Sequence, residues 1–283
     1  MRLSIRHETL HRYAQPAKFV IQKLRLTPRN HQGQHVVHWR IDVDVDCRLK
    51  AAEDAFGNAL HGFTSDGPHE LVTVTAIGEV DTFDTRGVVH GAVERFHPEL
   101  YLRVTPLTEP ASEARELASR VSAAETVALD RLHALLRAVA ETAARPSRTS
   151  AAQLQSQASQ SQTQGQTAPG AAAEASAESL AHLFIACARL MEVPARYVAG
   201  YRLPDANALG QGIHGWAEAF VPQLGWVGFD PANGLCPDER YVRVAIGLDS
   251  LGAAGIRAAE GGAAERSSEV KLSVTELRPR GHA

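Results

Sequence analysis

The sequence predicts an α+β fold: an N-terminal antiparallel β domain of sandwich-like type, then a core with a central helix packed on an antiparallel sheet. Three observations carry it. The first 88 residues alternate apolar and polar, most cleanly at Trp39-Arg40-Ile41-Asp42-Val43-Asp44-Val45-Asp46. The middle of the chain has helical spacing, with Leu129, Leu132, Leu135, Leu136 and Val139 on one face. Late in the chain, Ile213 to Gly234 reads as a hairpin: a strand from His214, a Pro222–Gly225 turn, and a return strand to Asp230-Pro231.

In order, strands are expected at Leu3–Tyr13, Phe19–Pro28, His35–Cys47, Leu60–Thr64 and Glu70–Thr82, with a turn at Asp54–Asn58. The acids Asp42, Asp44 and Asp46 read as a solvated strand face, since nothing supplies converging oxygen ligands. Pro98–Pro106 reads as a linker. A helix starts near Ser112 and a second runs from about Ala123 to Ala144. From about 146 to 176 the chain is mostly Ser, Gln, Ala, Thr and Gly, too poor in apolar groups to offset the entropy of ordering, and is expected to be a loop. A helix follows through Leu190, then strands, a loose Gly252–Gly262, and a last strand at Ser268–Leu277. The implied organisation is a β domain over 1–88, a core over 89–248 and a C-terminal extension over 249–283.

The 283 residues suffice for two modest domains, and 44% hydrophobic with 22% charged residues is an ordinary soluble composition. A net charge of −3 gives no general attraction to nucleic acid or anionic membrane. No stretch approaches the length of a membrane span, and no apolar signal core precedes the first strand. Three cysteines without a CxxC, and 13 scattered histidines without HExxH, point to no disulfide framework, no metal and no cofactor; a cytoplasmic location is the expectation.

The hairpin holds the candidate chemistry. His214 opens one strand and Asp230 ends the next, so an imidazole and a carboxylate can meet across it. A carboxylate on one ring nitrogen leaves the other free to act as a base. From spacing alone, a core histidine and a turn-forming aspartate is the simpler reading. A base of this kind needs a nucleophile, commonly at a helix N-terminus.

Three runs then carry a resemblance: AHLFIACARLMEVPARYVAGYR, HGWAEAFVPQLGWVGFDPANG and DERYVRVAIGLD. Together they resemble the core of bacterial transglutaminase-like proteins, in the papain-like superfamily of Cys-His-Asp acyl-transfer enzymes. Leu24–Arg29, Asp54–Asn58 and Pro68–Leu71 resemble the region preceding that core. The resemblance assigns the base to His214 and its orienter to Asp230. It assigns the nucleophile to Ala177, where the family's Gly-Val-Cys-Gln-Asp is replaced by Ala175, Ser176, Ala177, Glu178 and Ser179. The family's Asp-Tyr after the later strand is Asp249-Ser250 here. Trp216, Glu178 and Ser179 are expected to line the cleft. Ser176 reads as the helix N-cap, with Glu178 in the first turn and able to pair with His214.

Cys187, ten residues beyond Ala177, lies roughly 15 Å farther along the helix and reads as a packing residue. The expected function is a transglutaminase-like protein that lacks its nucleophile and binds a peptide or protein segment without covalent chemistry. The alternative is an acyl transferase or amide hydrolase using Ser176, Ser179 or Cys236.

Overall fold

The computed structural model describes residues 1–144, 169–205, 213–262 and 266–277. Of the segment read as a loop, 146–168 lies outside them. From Pro169 onward the expectation is corrected: the helix already runs from Pro169 to Leu190. Its first turns, Pro-Gly-Ala-Ala-Ala-Glu-Ala-Ser, are alanine-rich, and alanine is the strongest helix former while proline suits a first turn. Composition that cannot build a core can still extend a helix. Ser176 is therefore inside the helix and does not cap it.

Two antiparallel sheets form the frame. In the first, β1 (Arg2–Thr27) pairs with β4 (Ala59–Thr82), which pairs with β2 (Gln34–Val43) and β3 (Lys50–Glu53). β1 and β4 are single long strands, each merging two that the sequence suggested, and they bend at register shifts near Arg12, Ala17 and Leu24. The acids Asp42, Asp44 and Asp46 are exposed.

The C-terminal extension belongs to this sheet. β10 (Ile256–Gly261), in the stretch expected to be loose, pairs with Phe19–Leu24, and β11 (Arg266–Glu276) pairs with Leu3–Tyr13. Its Gly and Ala content hides β10 in the sequence; partner strand β1 supplies the ladder that propensity does not.

The second sheet has the order β5 (Val88–Val89), β8 (Gly225–Phe229), β7 (His214–Val221), β6 (Ala195–Arg202), β9 (Tyr241–Gly247). Helices α1 (Ser112–Ala124) and α2 (Ala128–Ala144) flank the Pro169–Leu190 helix, α3. Ala181, Phe184, Ile185 and Ala188 of α3 share one core with Tyr197, Ala199, Ala217 and Ala219 of the sheet. Small residues on both sides let helix and strand approach closely. Phe184 stacks on Phe229 at 5.1 Å. The other sheet face carries Val198, Trp216, Tyr241 and Ile246.

The stretch read as a linker is two short 3-10 turns, Pro98–Leu102 and Pro106–Thr108, with Tyr101 fully buried. Buried Arg189 near the end of α3 ties them down, bonding the carbonyls of Tyr101, Ala195 and Leu248 and the Thr108 hydroxyl.

Side-chain amides from the first sheet dock the two halves. Gln34 bonds the carbonyl and amide of Arg243, and Asn58 those of Ile246, both at 2.8 Å for Asn58. The Asp54–Asn58 turn exists to aim that amide. Gly57 takes φ +87°, and Asp54 accepts from the amides of Phe56 and Asn58. Asn58→Ala would strand two buried backbone groups of β9, and urea denaturation should read a loss of about 2–4 kcal/mol.

Candidate functional site

His214 opens β7 opposite Gly200 of β6. A Cβ at Gly200 would overlap the Val242 carbonyl and the Trp216 ring, so glycine there lets Trp216 lie flat beneath the histidine. The His214 and Trp216 rings stack at 6.1 Å and 25°, and Tyr241 meets Trp216 edge-on at 5.5 Å. Trp216 is 2% exposed, so it serves as a plate under the imidazole and offers a ligand no open face.

Asp230 follows β8 into a tight turn closed by its own backbone to Leu235. His214 Nε2 lies 2.6 Å from Asp230 Oδ2. The same oxygen accepts from Asn233 Nδ2 and from the Tyr241 hydroxyl, each at 2.7 Å, while Oδ1 accepts the amides of Ala232 and Asn233. Burial pushes this carboxyl up, but the His214 bond and the other donors outweigh it and hold it below the usual carboxylate range. With Asp230 ionised, Nε2 donates and Nδ1 carries the lone pair. Among the described residues Nδ1 has no hydrogen-bond partner. The pair is thus arranged to take a proton from a group placed at Nδ1.

Tyr241→Phe removes one of the five bonds on Asp230. The expected cost is about 1–2 kcal/mol in thermal or urea unfolding, with the His214–Asp230 contact retained.

Ala177 is 5% exposed, a methyl group in the interior of α3. The next residues are held by the loop after β9. Ser250 donates its hydroxyl to Glu178 at 2.7 Å and its amide to His182 Nε2 at 3.0 Å. Glu178 thus bonds Ser250 and not His214, and Ser179 is exposed. His182 packs on Tyr197 at 5.2 Å, and the Tyr197 hydroxyl lies where a Cβ of Gly215 would be. This relay joins the α3 segment around His182, about 7 Å along the axis from Ala177, to the start of β7.

The thiols are poor nucleophiles. Cys187 is buried, donates to the Ala114 carbonyl at 3.4 Å, and burial pushes it up to about 12. Burial pushes Cys236, wedged beside Gly87, up to about 11. Burial also raises Cys47. Among the described residues, no three His, Cys, Asp or Glu side chains are placed to hold a metal. No described helix is long and apolar enough to cross a membrane.

Three residues around the pair escaped the sequence reading. Tyr241 and Asn233 complete the shell of Asp230. Glu218 lies on the same strand face as His214 and Trp216, fully buried between Arg196 and Arg243, each at 2.7 Å. Arg196 in turn grips Glu94 with two bonds and lies 3.8 Å over the Trp226 ring. An acid in an otherwise apolar strand was the available signal for Glu218.

Comparison with known proteins agrees with this geometry. Residues 3–81 match the family described as the bacterial transglutaminase-like N-terminal region, and residues 115–231 match the transglutaminase-like superfamily. An uncharacterised protein of Mycobacterium leprae is 25% identical, over 98% of this chain and 99% of its own. An uncharacterised protein of Mycobacterium tuberculosis is 28% identical, over 88% of this chain and 84% of its own. The crystal structure of a candidate cysteine protease from Cytophaga hutchinsonii shares the fold, with TM-score 0.63 and 16% identity over 100% of this chain and 94% of that one. With both matched regions in the expected order and the helix-on-sheet core beginning in the second, residues 115–231 belong to the transglutaminase-like superfamily and residues 3–81 to its bacterial N-terminal region.

Proposed function

We propose that this protein is a member of the superfamily without acyl-transfer chemistry, which binds an extended peptide or protein segment through the cleft beside His214. The observation that carries the reading is Ala177: the position that the resemblance assigns to the attacking thiol holds a buried methyl group. Loss of a triad nucleophile lowers turnover by on the order of 10⁶, while binding and charge stabilisation persist. The cysteines have raised pKa values, which weakens them as substitutes. The test is incubation with a glutamine-containing acceptor protein, a primary amine and peptide substrates. No turnover above background is expected, together with saturable peptide binding. Turnover that His214→Ala abolishes would sink the reading.

The five bonds that keep Asp230 ionised beside His214 favour a second reading, an acyl transferase or amide hydrolase with another nucleophile. Ser179 is exposed on α3 and Cys236 follows the Asp230 turn; Ser176 is the third candidate. A serine- or thiol-directed probe followed by mass spectrometry separates the readings: an adduct lost in His214→Ala supports the second.

A further inference from the structure

We infer that β11 is a self-complementary edge through which two copies of this chain pair, antiparallel, about Val270. β11 is eleven residues long and pairs with β1 along one side; among the described residues nothing pairs with its other side. A long open edge presents a row of unused amides and carbonyls, which a second strand can complete.

The backbone fixes which residues turn outward. Leu277 donates to the Arg2 carbonyl at 2.8 Å, and the register from Leu3↔Glu276 to Tyr13↔Arg266 is unbroken. In an antiparallel ladder, bonded and non-bonded pairs alternate. Thr275, Ser273, Lys271, Glu269 and Ser267 therefore bond β1, and Val274, Leu272, Val270 and Ser268 point their backbone groups to the open side.

Among the possible registers, charge selects one. With Val270 opposite Val270 of the second copy, the outward pairs bond, and Glu269 stands opposite Lys271 twice about the two-fold axis. These are non-bonded positions, where facing side chains are closest. Moving the axis by one residue either way sets Glu269 against Glu269 or Lys271 against Lys271, and like charges directly opposite are destabilising. Within its own chain Lys271 lies only 3.6 Å from Glu269 and 4.0 Å from Glu8, both solvent-screened contacts that leave it available.

The apolar contact points to the same axis. Val274, Leu272 and Val270 lie on one face of the strand; Val274 is 5% exposed, and Val270, beyond the core, is 46% exposed. The two-fold pairing covers Val270 with its own counterpart. The contact is isologous and closes at two copies, giving a twelve-stranded sheet across the dimer rather than a filament.

Sedimentation of the full chain tests this. The wild type is expected to form a concentration-dependent dimer. Val270→Pro removes an outward amide and leaves the β1 ladder intact, so the variant should fold and sediment as a monomer. Lys271→Glu should weaken the dimer at least about tenfold, by placing two like-charge pairs in the interface. The exchange of both charges, E269K with K271E, should restore it. A wild type that stays monomeric at every concentration, or a dimer indifferent to Lys271→Glu, overturns the inference.

Discussion

Glu218→Gln is expected to destabilise the protein by about 3–5 kcal/mol, read from the urea midpoint, because it leaves two guanidinium groups in the interior short of a counter-charge. Arg196 is fully buried and the side chain of Arg243 is 15% exposed, so water can compensate little of the loss. Arg196 keeps Glu94, whose side chain is 33% exposed; Arg243 keeps at most one of its two bonds to position 218, since a glutamine amide nitrogen cannot accept. The same network sets the acid limit. Burial pushes the Glu218 carboxyl up, but Arg243 and Arg196 outweigh it and hold it at about 2, below its ordinary 4.5. A carboxyl lowered on folding contributes stability above pH 4.5 and loses it as pH falls toward 2. The wild type should weaken steeply in that window, and Glu218→Gln should show a flatter dependence there. Buried His7 and His11, lowered by burial from 6.5 to about 4, act earlier: neutral in the fold, they contribute above pH 6.5 and lose it as pH falls toward 4.

Ala177→Cys is expected to create a thiol that is alkylated at neutral pH about 10²–10³ times faster than the native ones. The native comparators sit at about 12 and about 11 for Cys187 and Cys236, so almost none of either is thiolate. A new thiol facing His214 Nδ1 would give up its proton to the imidazole, with Asp230 stabilising the resulting cation. Adding His214→Ala should then slow alkylation at least about tenfold. Mass spectrometry after timed iodoacetamide exposure reads both rates. A cysteine at 177 that reacts no faster than the native thiols, or that is indifferent to His214, would show that this turn of α3 does not face the imidazole. It would also remove the main support for the missing-nucleophile reading. Amine incorporation by Ala177→Cys alone would mean that the remaining cleft is still competent.

The sequence by itself determined the hairpin from His214 to Phe229, the helix that packs on it and the family to which both belong. These rest on local signals: alternation in a strand, a Pro–Gly turn, apolar spacing along a helix. It also determined that position 177 has no sulfur, because side-chain chemistry needs no folding. Only the tertiary structure decided what surrounds those residues. Tyr241 reaches Asp230 from eleven residues away and Arg243 reaches Glu218 from twenty-five, and Ser250 takes Glu178 from seventy-two. β11, whose alternation announces a strand, and β10, whose β-propensity is too low to announce one, both find their partner in β1 at the opposite end of the chain. Each is a contact whose energy comes from burial and charge pairing after distant segments meet, and its partner leaves no trace in the neighbouring residues of the chain.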